Sequence, residues 1–229
     1  MKLKNRREHD RSIKQSEETK ITTKEKIIHA ANEVFAERGK HGARMDQIAA
    51  KAKVNKAMVY YYFGNKDNLF QEVLSGIFII VFAKIIGSVA KPGHAGEDPV
   101  EQLKKVVRAT FEAVSQSPNL ARIVLYAIAN EEQDIKHAME SIKKNHPHLY
   151  PTQLFAFLEK GIAQGKFRNV DPRQTIVSIV GMNIFYFVWK PIARMILGLE
   201  TPEEEQAFLK AREEGVLDLL LHGILERRA

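Results

Sequence analysis

The chain of 229 residues buries a sizeable core in one or two domains, and its lack of cysteine excludes disulfide staples and thiolate metal clusters. Its formal net charge of +7 is lopsided: residues 1–66 hold 16 Lys and Arg against 8 Asp and Glu, whereas residues 67–229 hold 19 against 20. A basic end on a near-neutral body points to a polyanionic partner at that end.

The opening MKLKNRREHDRSIKQSEETK has no apolar run and is not expected to be a secretory signal. Residues 1–21 are polar and charged, which predicts a disordered basic tail. Thr22-Thr-Lys-Glu25 fits a capping box, in which hydroxyl and carboxylate satisfy free amides at a helix start. Ile27, Ala31, Val34 and Phe35 then fall on one helical face, and Gly39 is expected to end this first helix as a left-handed cap. A second helix is predicted over 45–52, with Ile48 and Ala49 inward. A third covers 55–63, with Asn55 as N-cap. Val54, Val59 and Phe63 are expected to seal this small unit. Gly64-Asn65 breaks the pattern before a long helix over 66–90.

Past Pro92-Gly93 every signal is helical. Residues 99–115 are amphipathic, with Leu103, Val106, Val107, Thr110, Phe111 and Val114 inward. Shorter helices are predicted over 119–130 and 134–144, then over 150–164 after the break at His146-Pro147. Asp171-Pro172 sets an N-cap before proline at the first helical position and opens a helix to Leu197. Thr201-Pro-Glu-Glu204 is a second capping box and opens the last helix, to about Glu226. In it, Phe208, Leu209, Val216, Leu219, Leu220 and Ile224 are expected to form one apolar stripe. The apolar runs 76–83 and 174–198 are interrupted by charge or proline, and both are expected to be buried helices of a soluble protein. With no alternating strand pattern, the expected class is all-α: residues 22–66 a small three-helix unit, and 67–229 a larger helical domain.

The stretch MDQIAAKAKVNKAMVYYYFGNK (45–66) carries the chemistry. A short helix braced by a partner fits the DNA major groove. Its polar and cationic start can reach base edges, while tyrosine hydroxyls and lysines reach phosphates. At about 100° per residue, Tyr60, Tyr61 and Tyr62 cannot all face inward. At most one is core, with Tyr60 or Tyr61 expected to pack its ring.

The pieces IIHAANEVFAERG (27–39), DQIAAKAKV (46–54) and NKAMVYYYFGNKDNLF (55–70) resemble the DNA-binding domain of TetR/AcrR-type transcriptional regulators. The resemblance implies a three-helix reader and a helical domain that binds a ligand and dimerises. Residue by residue, it implies a phosphate contact at Arg44 and base readout by Asn55, Lys56, Ala57 and Met58. It implies backbone contacts at Tyr60, Tyr61 and Tyr62, and a further phosphate contact at Lys66. Ala43-Arg44 stands where the family usually has Ser or Thr. Lys53 replaces the usual turn glycine, and Ala57-Met58 the frequent Gly-Thr. The fold tolerates these departures, which bear on the operator read.

In the second domain Phe78, Phe82, Phe111, Tyr126, Phe155, Met182, Phe185, Tyr186 and Trp189 are candidates to line an effector pocket. The run Phe185–Trp189 is apolar all round and needs cover on more than one side, from a pocket and from a partner. The expected partners are a double-stranded DNA operator, a small-molecule effector and a second copy paired through the last two helices. No membrane partner and no cofactor are expected. The expected function is a cytoplasmic, ligand-responsive repressor reading a palindromic operator. An activator, or a ligand-independent DNA-binding protein of the same fold, is the alternative. His146-Pro-His148 and Glu131-Glu132-Asp134 lack the partners of a metal or catalytic site, and no phosphate-loop or nucleophile-elbow motif is present, so no enzyme is expected.

Overall fold

The computed structural model describes residues 22–89, 97–117 and 119–225. The expectation of a disordered tail over 1–21 lies outside them, as do Pro92-Gly93. Among the described residues there are ten α-helices: α1 (Thr23–Gly42), α2 (Met45–Ala52), α3 (Lys56–Phe63), α4 (Lys66–Gly87), α5 (Pro99–Ser115), α6 (Leu120–Asn130), α7 (Glu132–Asn145), α8 (Gln153–Ala163), α9 (Pro172–Leu197) and α10 (Pro202–Ile224), with a 3-10 turn at Pro147–Leu149. The only β pairing described is one isolated bridge, Phe167 to Leu225. The chain forms two compact units, one through Leu69 and one from Phe70.

Local chemistry fixes the helix boundaries. At Thr22 the hydroxyl accepts from the Glu25 N–H while the Glu25 carboxylate accepts from the Thr22 N–H at 2.7 Å. Thr201 and Glu204 repeat the arrangement at α10. The backbone N–H groups bonded to these carboxylates hold both Glu25 and Glu204 below the usual carboxylate range. Asp98 and Asp171 cap α5 and α9, each followed by proline at the first position. Gly39 does not end α1 as expected. Its φ of 66° and ψ of 176° put a kink in the helix, which resumes to Gly42. That backbone region is open essentially to glycine alone.

In the first unit Ile27, Ala31, Phe35, Ile48, Val59 and Leu69 are buried and close a small core. Val54, expected to help seal it, is only half-buried. Lys53, at the turn after α2, sits in the left-handed region with φ 56° and ψ 41°. A side chain there costs roughly 1–2 kcal/mol, partly returned by the entropy a glycine would lose. Lys53→Gly is therefore expected to raise stability by about 0.5–1 kcal/mol, read from the urea midpoint.

The second unit is organised around Leu103, Val107, Leu158, Phe167, Ile179 and Val216. The inward face expected for α5 is buried throughout, from Leu103 to Val114. On α10, Val216, Leu220 and Ile224 are buried, but Leu219 is 59% exposed and Leu217 takes a core place instead. Four apolar residues of that helix therefore join the core, and Leu219 faces away. Burial beside the Glu205 carboxylate pushes the Tyr186 phenol up to about 12.

Candidate nucleic-acid interface and effector cavity

Helix α3 has a split personality set by its register. Val59 and Phe63, four apart, are buried and anchor it. Asn55, Lys56 and Ala57 are exposed at its start and Met58 is half-buried. The Asn55 carboxamide accepts from the Ala57 N–H at 2.9 Å, so this side chain is used as a cap. Its amide nitrogen keeps two donors for other partners.

Tyr60, Tyr61 and Tyr62 are 44%, 79% and 39% exposed. No tyrosine ring is core, contrary to the expectation for Tyr60 or Tyr61. Val59 and Phe63 already fill the inward face, and the rings stack among their own neighbours instead. The Lys56 ammonium lies 5.9 Å over the Tyr60 ring, and Tyr61 meets Tyr62 edge-on at 5.2 Å.

The supporting frame is ionic. Lys51 of α2 bridges to Glu33 and Glu37 of α1. Its hydrogen bond holds the Glu33 carboxyl below the usual range, and the same contact raises Lys51. Lys40, almost buried, pairs with Asp67 at 3.2 Å. Lys66 is half-buried, and its ammonium donates to the carbonyls of His41 and Ala43, both at 3.2 Å. It therefore braces the end of α1 first, with one N–H left for a phosphate. Arg44 is exposed at the N-cap of α2 and makes no side-chain cap bond.

In the second unit a cavity of about 390 Å³ lies between α4, α5, α6 and α9. Of the nine expected lining residues it takes three: Phe78, Phe82 and Phe185. Phe111 is buried against Phe187 at 5.7 Å, and Tyr126 meets Phe70 edge-on. Tyr186 packs on Phe208 at 5.0 Å, while Met182 packs against the main core and its carbonyl accepts from Arg212. Trp189 stacks on Phe185, and Phe155 is half-buried on α8, outside the lining. Helical register explains the split on α9. Gly181, Ile184, Phe185 and Val188 face the cavity, whereas Met182 and Tyr186 are turned about 100° from Gly181 and Phe185 respectively. The missed lining is aliphatic: Ile77, Val81, Val114, Val124, Leu125 and Ile184 among others. Its signal was the all-round apolarity of IFIIVFAKII and IVLYAI, which one buried stripe does not require.

The lining side of α9 does not stop at the cavity. Val177, Ile192, Met195 and Ile196 continue it and are 68%, 45%, 76% and 61% exposed. The expectation that 174–198 is a buried helix therefore fails for this side of α9 in the single chain. By length and apolarity alone α4 and α9 are each able to cross a membrane. Here α4 gives Leu74, Ile85 and Ile86 to the interior and Phe78 and Phe82 to the cavity wall.

A braced two-helix reader with an outward face of cation, amide and tyrosine, on a chain whose remainder is helical and cavity-bearing, defines a helix-turn-helix transcriptional regulator. The family model for bacterial regulatory proteins of the tetR family matches residues 27–73, and that for the tetracyclin repressor-like C-terminal domain matches 99–219. The chain belongs to the TetR family. It is 33% identical over 150 residues to the HTH-type transcriptional repressor NicS of Pseudomonas putida, a match spanning 64% of this chain and 66% of that protein, just under two thirds of each. It is 25% identical over 204 residues to the HTH-type transcriptional regulator RutR of Escherichia coli K12, covering 89% and 91%. The structure of the transcriptional regulator FadR from Bacillus subtilis in complex with stearoyl-CoA shares the fold, with a TM-score of 0.63, 22% identity, and coverage of 86% of this chain and 97% of that one.

Proposed function

We propose that this regulator is a cytoplasmic, ligand-relieved repressor that reads a palindromic operator as a homodimer. The observation that carries the DNA-reading face is α3, where Asn55, Lys56, Ala57 and three tyrosines stand outward on a helix locked by Val59 and Phe63. Asn55, Lys56, Ala57 and Met58 read base edges: lysine donates to guanine acceptors, and the small apolar groups touch a thymine methyl. Arg44, the three tyrosine hydroxyls and the remaining N–H of Lys66 hold phosphates.

Two copies pair through α9 and α10, because the uncovered apolar side of α9 is the kind of surface that marks a protein interface. A helix-turn-helix dimer reads half-sites spaced by whole helical turns. An effector in the cavity shifts the population from DNA-competent to DNA-incompetent pairs, with α4 as the shared element. The residues assigned to DNA fall in 22–66, and the cavity and pairing surface in 67–229.

The test is a fluorescence-anisotropy salt titration on DNA from upstream of the protein's own gene, against scrambled DNA of equal length. A dimer with roughly 6–10 phosphate contacts loses about 10³–10⁵ in affinity between roughly 50 and 200 mM salt. Preference for the upstream DNA with that slope supports the reading. Absence of binding to either DNA at low salt defeats it.

A further inference from the structure

We infer that the cavity between α4, α5, α6 and α9 takes an unbranched alkyl or acyl chain, threaded tail-first with its polar head left at the mouth. The inference rests on the ligand-relieved reading above and narrows its effector to one chemical class.

The lining offers hydrocarbon and almost nothing else. Among the described residues, no Lys, Arg, His, Asp, Glu, Asn or Gln side chain lines it. Its one hydroxyl, on Thr110, is already spent, donating to the Val106 carbonyl at 2.7 Å. A polar group carried inside would lose its water and find no donor in return, which is unfavourable. A hydrocarbon chain suffers no such loss. A volume of about 390 Å³ is in the range of small-molecule pockets rather than of a packing defect. Apolar cavities of this kind stay dry and accept apolar guests.

The opening is also defined. Leu125, Ile128, Val180 and Phe185 line the cavity and are at the same time 38–63% exposed, so they form its rim. Among the described residues the rim carries no charged lining residue, and so no built anchor for one particular head group. Chain length, rather than head-group charge, is therefore the quantity the site measures.

Gly181 supplies the discriminating variant. It lies on the cavity wall, and a Cβ added there meets nothing within 4 Å. Gly181→Leu thus fills the cavity from its wall without a clash, and it replaces a mid-helix glycine with a better helix former. The variant is expected to fold, read from an unchanged circular-dichroism spectrum and cooperative melting.

The experiment measures displacement of anilinonaphthalene sulfonate from the full-length protein by straight-chain alcohols from octanol to dodecanol and by the matching carboxylates. Release of bound DNA is followed in parallel. Each added methylene is expected to tighten binding about fourfold. Alcohol and carboxylate of equal length are expected to follow the same trend, and Gly181→Leu to weaken dodecanol by about tenfold or more. An affinity flat with chain length, or a series indifferent to Gly181→Leu, overturns the inference. So does failure of every member to displace the dye, even if some polar compound releases DNA, in which case the ligand-relieved reading survives without it. Chain-length-dependent binding that leaves DNA bound supports the inference and removes ligand relief by this class.

Discussion

Gly161→Ala is expected to cost about 3 kcal/mol, seen as a lower urea midpoint at unchanged slope and a fall of several degrees in the melting temperature. A Cβ built on Gly161 of α8 would lie 2.2 Å from Cδ2 and 2.3 Å from Cε2 of the Phe167 ring. Real side chains do not approach so closely, so ring or helix must move. Neither is free to do so. Phe167 is 1% exposed within the main core of the second unit. Its own N–H donates to the Gly161 carbonyl at 3.1 Å, and its strand-like bridge to Leu225 pins the backbone from the other side. Expelling the ring approaches the penalty of deleting it, about 3–5 kcal/mol. Gly215→Ala is the control, since a Cβ there meets nothing within 4 Å. It should change stability by no more than about 1 kcal/mol. A Gly161→Ala protein as stable as this control would show that the close approach is not maintained in solution.

Arg44→Ala and Lys56→Ala are expected to lower operator affinity on the order of fiftyfold each at about 0.1 M salt, because a dimer loses two cations that displace counterions from the DNA per substitution. The logarithmic salt slope should become shallower by about 1.8 for each variant. The two should then part company. Arg44 makes no cap bond and lies before α2, so its loss should weaken operator and scrambled DNA alike. Lys56 stands at the start of α3 beside the Tyr60 ring, so its loss should also relax the preference for one sequence by about 1–3 kcal/mol. Parallel loss on both DNAs for Lys56→Ala would reduce that residue to a phosphate contact. Thermal melts of both variants should match the parent, since both side chains are exposed.

What could be read from the chain was what local chemistry writes. The capping boxes at Thr22 and Thr201, the Asp171-Pro172 start and the Asn55 cap each involve residues within three positions of one another, and the helices begin where those signals say. The outward face of α3 was equally legible in outline, because the 3.6-residue period leaves little choice about where Val59 and Phe63 point. Readings failed where a distant neighbour decides. Gly39 kinks rather than terminates α1, because the last turn to Gly42 is held by Lys66, more than twenty residues on. For the same reason the sequence assigned Lys66 only a phosphate contact, with no sign of its bonds to the His41 and Ala43 carbonyls. Aromatics were favoured as pocket lining because they are large. Yet Phe111 and Tyr186 pack against Phe187 and Phe208 instead, and the cavity keeps only Phe78, Phe82 and Phe185 among a mostly aliphatic lining.

The placement of cavity wall and uncovered surface on one side of α9 has an evolutionary cost. Val180, Ile184, Phe185 and Val188 touch the space a guest would fill, while Val177, Ile192, Met195 and Ile196 carry the same stripe onward to the outside. Phe185 and Val180 line the cavity and are themselves exposed, so they join the two sets. Selection for a longer or bulkier guest therefore also edits the outer surface, and drift on the outer surface reshapes the cavity. Descendants of this chain should change the two together, or change guest preference chiefly through the buried wall residues of α4 and α5, Ile77, Ile85, Thr110 and Val114.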